Sequence, residues 1–318
     1  MLCPHEALNS AVTLGVENAM TRMSHVSAVH NEERWLEAMV QSWLRQSSGR
    51  DAELVLVDDH SDDATSSIGE RLAGEYERVR FFSSSGQGRR RGKVAAFNLG
   101  IERATGDFIG LIAGDDTFPA DALSHWFTAV EAYSGSDLVV AFGRLRTMSS
   151  RKKEDGLIIP RKHRGNRSGG TSLFSRALAQ IVFPIPEQLQ SEDTWTAFAL
   201  EAKASVVIEL SHVVLNYRIH RDNSNPRNKD FPQMSTWMER QSQAFELLLD
   251  CDRLSLSAED ELALRREISL EGLRQSGAVL RILMESEVPP RYRMRAVAMS
   301  RPSLWRLRQV LFRYLSGW

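Results

Sequence analysis

Apolar and polar positions along the first 143 residues alternate between strand spacing and helix spacing. Ser24–Val29 (SHVSAV) reads as a short buried strand. Between Glu32 and Gln46, Trp35, Leu36, Met39, Val40, Trp43 and Leu44 fall at helical spacing. Glu53–Val57 (ELVLV) is the clearest strand and stops abruptly at Asp58-Asp59. Ser61, Asp62 and Asp63 supply helix-start chemistry for a helix over Ala64–Glu75. Val79–Phe82 is a third strand, and Gly86–Gly92 a glycine- and arginine-rich loop. Lys93–Ala104 reads as a helix ending before Gly106, and Phe108–Ile112 as a strand running into Gly114-Asp115-Asp116. A helix over Ala120–Tyr133 and a strand over Leu138–Phe142 complete this half.

Such alternation predicts an α/β fold, a Rossmann-like, mostly parallel sheet with helices on both faces, followed by a C-terminal helical region. Ligands of these sheets bind beyond the carboxyl ends of the strands. Three polar clusters fall there: His30-Asn31-Glu32, Asp58-Asp59 and Asp115-Asp116. The stretch from Arg144 to Asn225 is less regular. It holds a basic loop (Arg151–Arg167), a glycine turn at Gly169-Gly170, an acidic pair at Glu192-Asp193 and a strand-like Val213–Tyr217. From Phe231 the pattern is helical, with one stripe through Trp237, Gln241, Ala244, Phe245, Leu248 and Leu249 and one long amphipathic stretch over Leu262–Met284.

The 318 residues suffice for a full core, and 42% hydrophobic with 25% charged residues is ordinary for a globular chain. A formal net charge of −1 argues against nucleic acid as a partner. Cys3 and Cys251 lie far apart and have no metal-ligand spacing, which predicts reduced thiols and a cytoplasmic protein. No apolar run approaches the roughly 20 residues of a spanning helix. Residues 1–22 lack the basic start and apolar stretch of a secretory signal and read as an N-terminal extension.

Each polar cluster has a plain reading beside a chemical one. Ser61, Asp63 and Thr65 can simply cap a turn, whereas a carboxylate at a strand tip can accept from a base N–H or a ribose hydroxyl. Asp115-Asp116 is either a surface turn or a cation site, because adjacent carboxylates repel unless a cation or donor offsets them. Lys93 ends a Gly-Arg-Arg-Arg-Gly-Lys run that is either solvated or phosphate-contacting, and its spacing is not that of a P-loop. Glu192-Asp193 suits a helix N-terminus, which periodicity alone favours, with a general base for a hydroxyl nucleophile as the chemical reading. His220 is either structural or, beside a carboxylate site, a ligand.

Taken in order, these clusters resemble glycosyltransferase family 2, the inverting enzymes of the GT-A fold. The resemblance runs from Met23 to Asn225. Met23–Glu33 is similar to a VSVIIPVYNEE opening and Glu53–Thr65 (ELVLVDDHSDDAT) to EIIVVDDGSTDGT. Gly92–Asp107 (GKVAAFNLGIERATGD) is similar to GKAAALNAGIEAATGE, and Ile109–Pro119 to the family's DxDD strand end. Gly169–Arg176 resembles an acceptor-side glycine turn, Glu192-Asp193 an ED motif, and Tyr217–Ser224 a YR-x-H segment.

The resemblance implies a GT-A domain over 23–230, with a nucleotide-sugar half (23–143) and an acceptor half (144–230), then helices over 231–318. It places Ala28, His30 and Glu32 in the base pocket, Asp59 on the base, and Lys93 and Asn98 near the nucleotide sugar. Gly114 lies beside Asp115, which would bind a Mn2+ or Mg2+ ion bridging the donor diphosphate, with His220 approaching that site. Asp193 would be the base, with Asp116, Gly170 and Glu192 secondary or on the acceptor side. A UDP-sugar donor and a saccharide or lipid-linked acceptor follow, in polysaccharide or glycoconjugate synthesis. The sequence departs from the pattern where Ala113 stands for the first DxD carboxylate, His30 for an aromatic and His60 for a glycine. Ala113 keeps open a non-catalytic carbohydrate- or partner-binding module. A nucleotidyltransferase would need a glycine-rich signature where His30-Asn31-Glu32 stands. The last 31 residues, from Val288, hold seven arginines and no acid. They read either as a solvated cap or as a peripheral contact with the inner face of the plasma membrane.

Overall fold

The computed structural model describes residues 22–47, 49–84, 90–161, 164–220 and 230–315. The amino-terminal half runs β1 (Met23–Val29), α1 (Leu36–Ser47), β2 (Ala52–Asp58), α2 (Thr65–Glu75), β3 (Val79–Ser83), α3 (Lys93–Arg103), β4 (Phe108–Ala113) and α4 (Ala122–Val130). β1 pairs in parallel with both β2 and β4, and β2 with β3. Every residue of β1 and β2 is buried, as strands covered on both faces require. The period of two along β2 divides the core. Leu54 and Leu56 meet Leu36, Met39, Val40 and Trp43 of α1 on one face. Val55 and Val57 meet Val94, Phe97 and Ile101 of α3 on the other.

The next elements are β5 (Val139–Ser149), β6 (Ile158–Ile159), β7 (Ser172–Ser175), α5 (Arg176–Val182), α6 (Asp193–Lys203) and β8 (Val206–Ile219). The sheet order is β3-β2-β1-β4-β7-β5, with β6 and β8 also paired to β5. β7 is antiparallel to β4 and β5, so the sheet is parallel around β1 and reverses at β7. The strand-like Val213–Tyr217 lies within a much longer strand. β8 follows β5 in parallel from Val139↔Val206 to Ser149↔Ile219, with irregular register around Phe142, Arg144 and Leu145. That ladder delivers Arg218 and His220 to the end of β4, where Thr117 bridges to Asn216.

The C-terminal helices are α7 (Phe231–Leu249), α8 (Ala258–Gln275), α9 (Val279–Met284), α10 (Pro290–Ala298) and α11 (Pro302–Leu315). α7 starts on a capping box, in which Asp230 accepts from the Gln233 backbone and the Gln233 side chain accepts from the Asp230 N–H. Ala244 and Leu248 of α7 join the core beneath α6. The single stretch expected over Leu262–Met284 is two helices. Gly277 takes φ +65, its N–H donates to Arg274 O, and the Ala278 N–H donates to Leu273 O. This left-handed terminator ends α8, and apolar periodicity passes across it unbroken. No helix among the described residues is long and apolar enough to cross a membrane. All but the last residue of the expected extension (1–22), residues 86–89 of the glycine-arginine loop and the Arg221–Ser224 end of the last motif lie outside the described residues.

Candidate active site at the carboxyl ends of β1, β2 and β4

The register aligns Val29 with Asp58 and Ala28 with Ala113, so three strands end side by side. The chain diverges to either side of β1 here, the position at which open α/β sheets bind ligands. Asn31 and His60, just past β1 and β2, both hold left-handed backbone, at φ 57 and 58. The second value explains why a glycine suits position 60, since only glycine adopts that conformation without steric cost. Asn31 then joins the two turns: its N–H donates to Ser61 Oγ at 2.9 Å and its Oδ1 accepts from Asp62 N at 2.8 Å.

Asp58 and Asp59 divide their work. Asp58 accepts from the Ser61 and Ser66 hydroxyls and closes its own turn. Asp59 is buried, and its Oδ1 accepts from Gly92 N at 2.9 Å, Arg91 N at 3.1 Å and Ser84 Oγ at 3.2 Å. Its Oδ2 pairs with Arg90 Nε at 2.8 Å. Asp59 thus fastens the segment before α3, and His30 Nδ1 lies 3.0 Å from its carbonyl oxygen. Ser84 and Arg90 were not singled out by the sequence. The run of arginines was the only signal, and which of them would reach a buried carboxylate is a tertiary matter.

Gly114 lets β4 end against Glu32. A Cβ there would meet Val29 Cγ1 at 2.8 Å and Glu32 Cγ at 3.1 Å. Glu32 is anchored through its N–H to Thr65 Oγ1 at 2.7 Å. Burial, helped by Asp115 and Asp63, pushes its carboxyl up to about 8, so it carries a proton at neutral pH. Ala28 is buried opposite Ala113, a small-residue step with no carboxylate at the position of the family's first DxD acid.

Asp115 and Asp116 are both buried. His220 Nε2 stands 2.8 Å from Asp115 Oδ2, and Arg218 Nε donates to the Asp115 carbonyl at 2.7 Å. The Arg218 N–H donates to Asp116 Oδ1 at 2.8 Å. Burial and the Asp115 charge hold Asp116 well above the ordinary carboxylate range. The Arg218 guanidinium lies 4.2 Å from the Trp35 ring centroid and Arg34 4.3 Å from it. Trp35 therefore precedes α1 and serves the site, although its spacing matched the core stripe. Arg218 was legible only as a neighbour of His220 in the Tyr217–Ser224 motif.

Lys93 opens α3 and its Nζ lies 2.9 Å from Glu192 Oε1. Burial opposes the lysine's charge, but Glu192 and Asp193 more than offset it and hold Lys93 above its usual range. Burial raises Glu192, whose Oε2 has no partner among the described residues. Asp193 begins α6, and its Oδ1 accepts from Gly169 N at 2.9 Å. Gly170 packs against Leu215 of β8. Asn98 commits both ends of its amide to Ile185, donating to its carbonyl and accepting from its N–H at 2.8 Å each.

A family model described as Glycosyl transferase family 2 matches residues 24–180. The chain belongs to glycosyltransferase family 2. Its fold is that of the GT-A enzymes. S. aureus TarS 1–349, solved with UDP-GlcNAc, superposes with a TM-score of 0.59 at 16% identity, over 89% of this chain and 82% of that one. The mannosyltransferase PcManGT of Pyrobaculum calidifontis, solved with GDP-Man and Mn2+, superposes with a TM-score of 0.50 at 18% identity, over 88% and 84%. A Campylobacter jejuni relative, GalNAc(5)-diNAcBac-PP-undecaprenol beta-1,3-glucosyltransferase, is 28% identical over 105 residues, 33% of each chain. The family 2 chain spans 33–40% of the length of the first two curated relatives it matches.

Proposed function

We propose that this family 2 protein is an active inverting transferase. It would move a sugar, hexosyl or closely related, from a nucleoside-diphosphate donor to an acceptor hydroxyl. The observation that carries the reading is the convergence of Asp115 and His220 with the Lys93–Glu192–Asp193 group at one end of the sheet. The donor set fits a hard divalent cation. A carboxylate and an imidazole are adjacent, and burial together with the Asp115 charge raises Glu32 and Asp116 even beside Lys93 and Arg218. Among the described residues no three His, Cys, Asp or Glu side chains gather as a self-sufficient metal cage. That suits Mn2+ or Mg2+, which take one or two protein ligands and complete their shell with water and phosphate oxygens. Asp115 and His220 would hold the ion, which supplies Lewis-acid stabilisation of the leaving diphosphate.

The chain's own groups account for the rest. Lys93 and Arg218 bring cationic donors to the face where diphosphate charge develops. Gly169 N fixes one oxygen of Asp193. The carboxylate can then accept the acceptor's proton as attack proceeds from the side opposite the leaving group. Ala28, His30 and Glu32 would line the base pocket with Asp59 on the base, and Asn98, which holds the Ile185 backbone, would lie near the nucleotide sugar. TarS with UDP-GlcNAc and PcManGT with GDP-Man and Mn2+ support a nucleotide-sugar donor with a cation, and UDP is our first choice. The C. jejuni relative's acceptor is lipid-linked, which supports a lipid-linked acceptor at the inner face of the plasma membrane.

Ala113 favours a second reading, a transferase-like module that binds carbohydrate or a partner without turnover. Calorimetric titration with UDP, GDP and their sugars, with and without Mn2+, separates the two. Cation-dependent nucleotide binding lost in Asp115→Ala supports the first, and absence of nucleotide binding across the panel supports the second.

A further inference from the structure

The C-terminal helices present a surface that the transferase site does not use. α9, α10 and α11 pack in succession, α10 against both neighbours. Ile282 and Ala296 turn inward to one small core, and Trp305 to another with Met234 and Met299. The outward positions are apolar as well. Leu280 is 75% exposed, Met284 80%, Met294 58% and Leu307 54%, and Val310 and Leu311 share the outer face of α11 with Leu307 at i, i+3 and i+4. Large apolar side chains left outward on three adjacent helices exceed the scattered single residues of an ordinary surface.

Charge decides what covers them. From Val279 to Leu311 the chain holds seven arginines against Glu285 and Glu287, and Glu287 is paired with Arg266 at 3.0 Å. Arg291 and Arg306 are exposed among the apolar residues. Burial and the nearby Arg295 push the Arg308 guanidinium down, so cationic charge is crowded here. A second protein would have to match both features at once. An anionic bilayer offers a negative plane above a hydrocarbon layer, which takes arginines at the headgroups and leucines or methionines below them.

We propose that α9, α10 and α11 form an interfacial membrane-binding face selective for anionic lipid. The assignment stands whether or not the sheet end catalyses sugar transfer. Sedimentation of the full chain with phosphatidylcholine vesicles, with and without phosphatidylglycerol, tests it. The anionic vesicles should carry the protein down, the neutral ones should not, and high salt should release it. Arg291→Gln with Arg306→Gln should weaken binding about fivefold per arginine. Leu307→Gln with Leu311→Gln should weaken it without altering thermal unfolding or nucleotide binding. Lys152→Gln with Lys153→Gln, on the other basic surface, should leave it unchanged.

Equal sedimentation with both lipids, no sedimentation, or loss of binding in the Lys152/Lys153 variant alone would overturn the proposal. So would self-association in light scattering that Leu307→Gln with Leu311→Gln abolishes while vesicle binding persists, because the face would then join two copies of this chain.

Discussion

His220 Nε2 lies 2.8 Å from Asp115 Oδ2, although 105 residues separate them. The long β5–β8 ladder creates this contact by carrying the end of β8 past the tip of β4. If the two side chains hold a cation together, His220→Ala should weaken Mn2+-dependent nucleotide binding about 10- to 100-fold. Binding without the cation should change little, and calorimetry at two Mn2+ concentrations reads both.

Lys93 and Glu192 form the second relationship. Lys93→Met leaves a buried carboxylate without its counter-ion, and Glu192 is already raised by burial. The single variant should lose about 1–3 kcal/mol of unfolding free energy, the cost of an unsatisfied buried group. Lys93→Met with Glu192→Gln should recover part of that loss. Denaturant unfolding of the three proteins forms the cycle.

Acid stability should depend on a residue outside the site. His25 of β1 is fully buried between the sheet and α1, accepts from Trp43 Nε1 at Nδ1, and is pushed down by burial to about 3 from 6.5. Between those values the unfolded state binds the proton and the folded state does not. His25 therefore contributes stability above pH 6.5 that is lost as pH falls toward 3, by up to about 1.4 kcal/mol per pH unit. Unfolding curves of wild type and His25→Gln should converge as pH drops through that window.

Glycine at position 114 should be required. In Gly114→Ala the new methyl meets Val29 Cγ1 at 2.8 Å and the Glu32 side chain at 3.1 Å. Overpacking of this kind costs about 1–3 kcal/mol. Because the displaced atoms flank Asp115, donor affinity should fall along with the melting temperature. Gly74→Ala, in α2 with open space around it, should leave donor affinity unchanged and raise the melting temperature slightly.

The parallel half of the fold was legible because its strands are buried on both faces and end at polar clusters. Glu53–Val57 and Phe108–Ile112 fall within β2 and β4, and the family match begins within β1. What the sequence hid was long-range. The reversal at β7 has no local signature, and β8 ahead of Val213–Tyr217 alternates exposed and half-covered positions along a sheet edge. Trp35 matched the helical stripe of α1, yet arginines 34 and 218 enclose it at the site. Asp59 read as a ligand for the base, and in the structure its carboxylate fastens Arg90–Gly92. Local pattern specifies which positions are polar at a strand end, and only tertiary contact specifies what they hold.

The central claim is that the sheet end turns over a nucleotide sugar. It is tested most directly by release of nucleoside diphosphate from a panel of UDP- and GDP-sugars with Mn2+, comparing wild type with Asp193→Asn and Asp115→Ala. The account predicts release by the wild type on at least one donor. It predicts a fall of about 100- to 10,000-fold in Asp193→Asn, the range expected for loss of a general base, and loss of Mn2+-dependent release in Asp115→Ala. A wild-type protein inert across the panel, or activity unchanged in both variants, would contradict it.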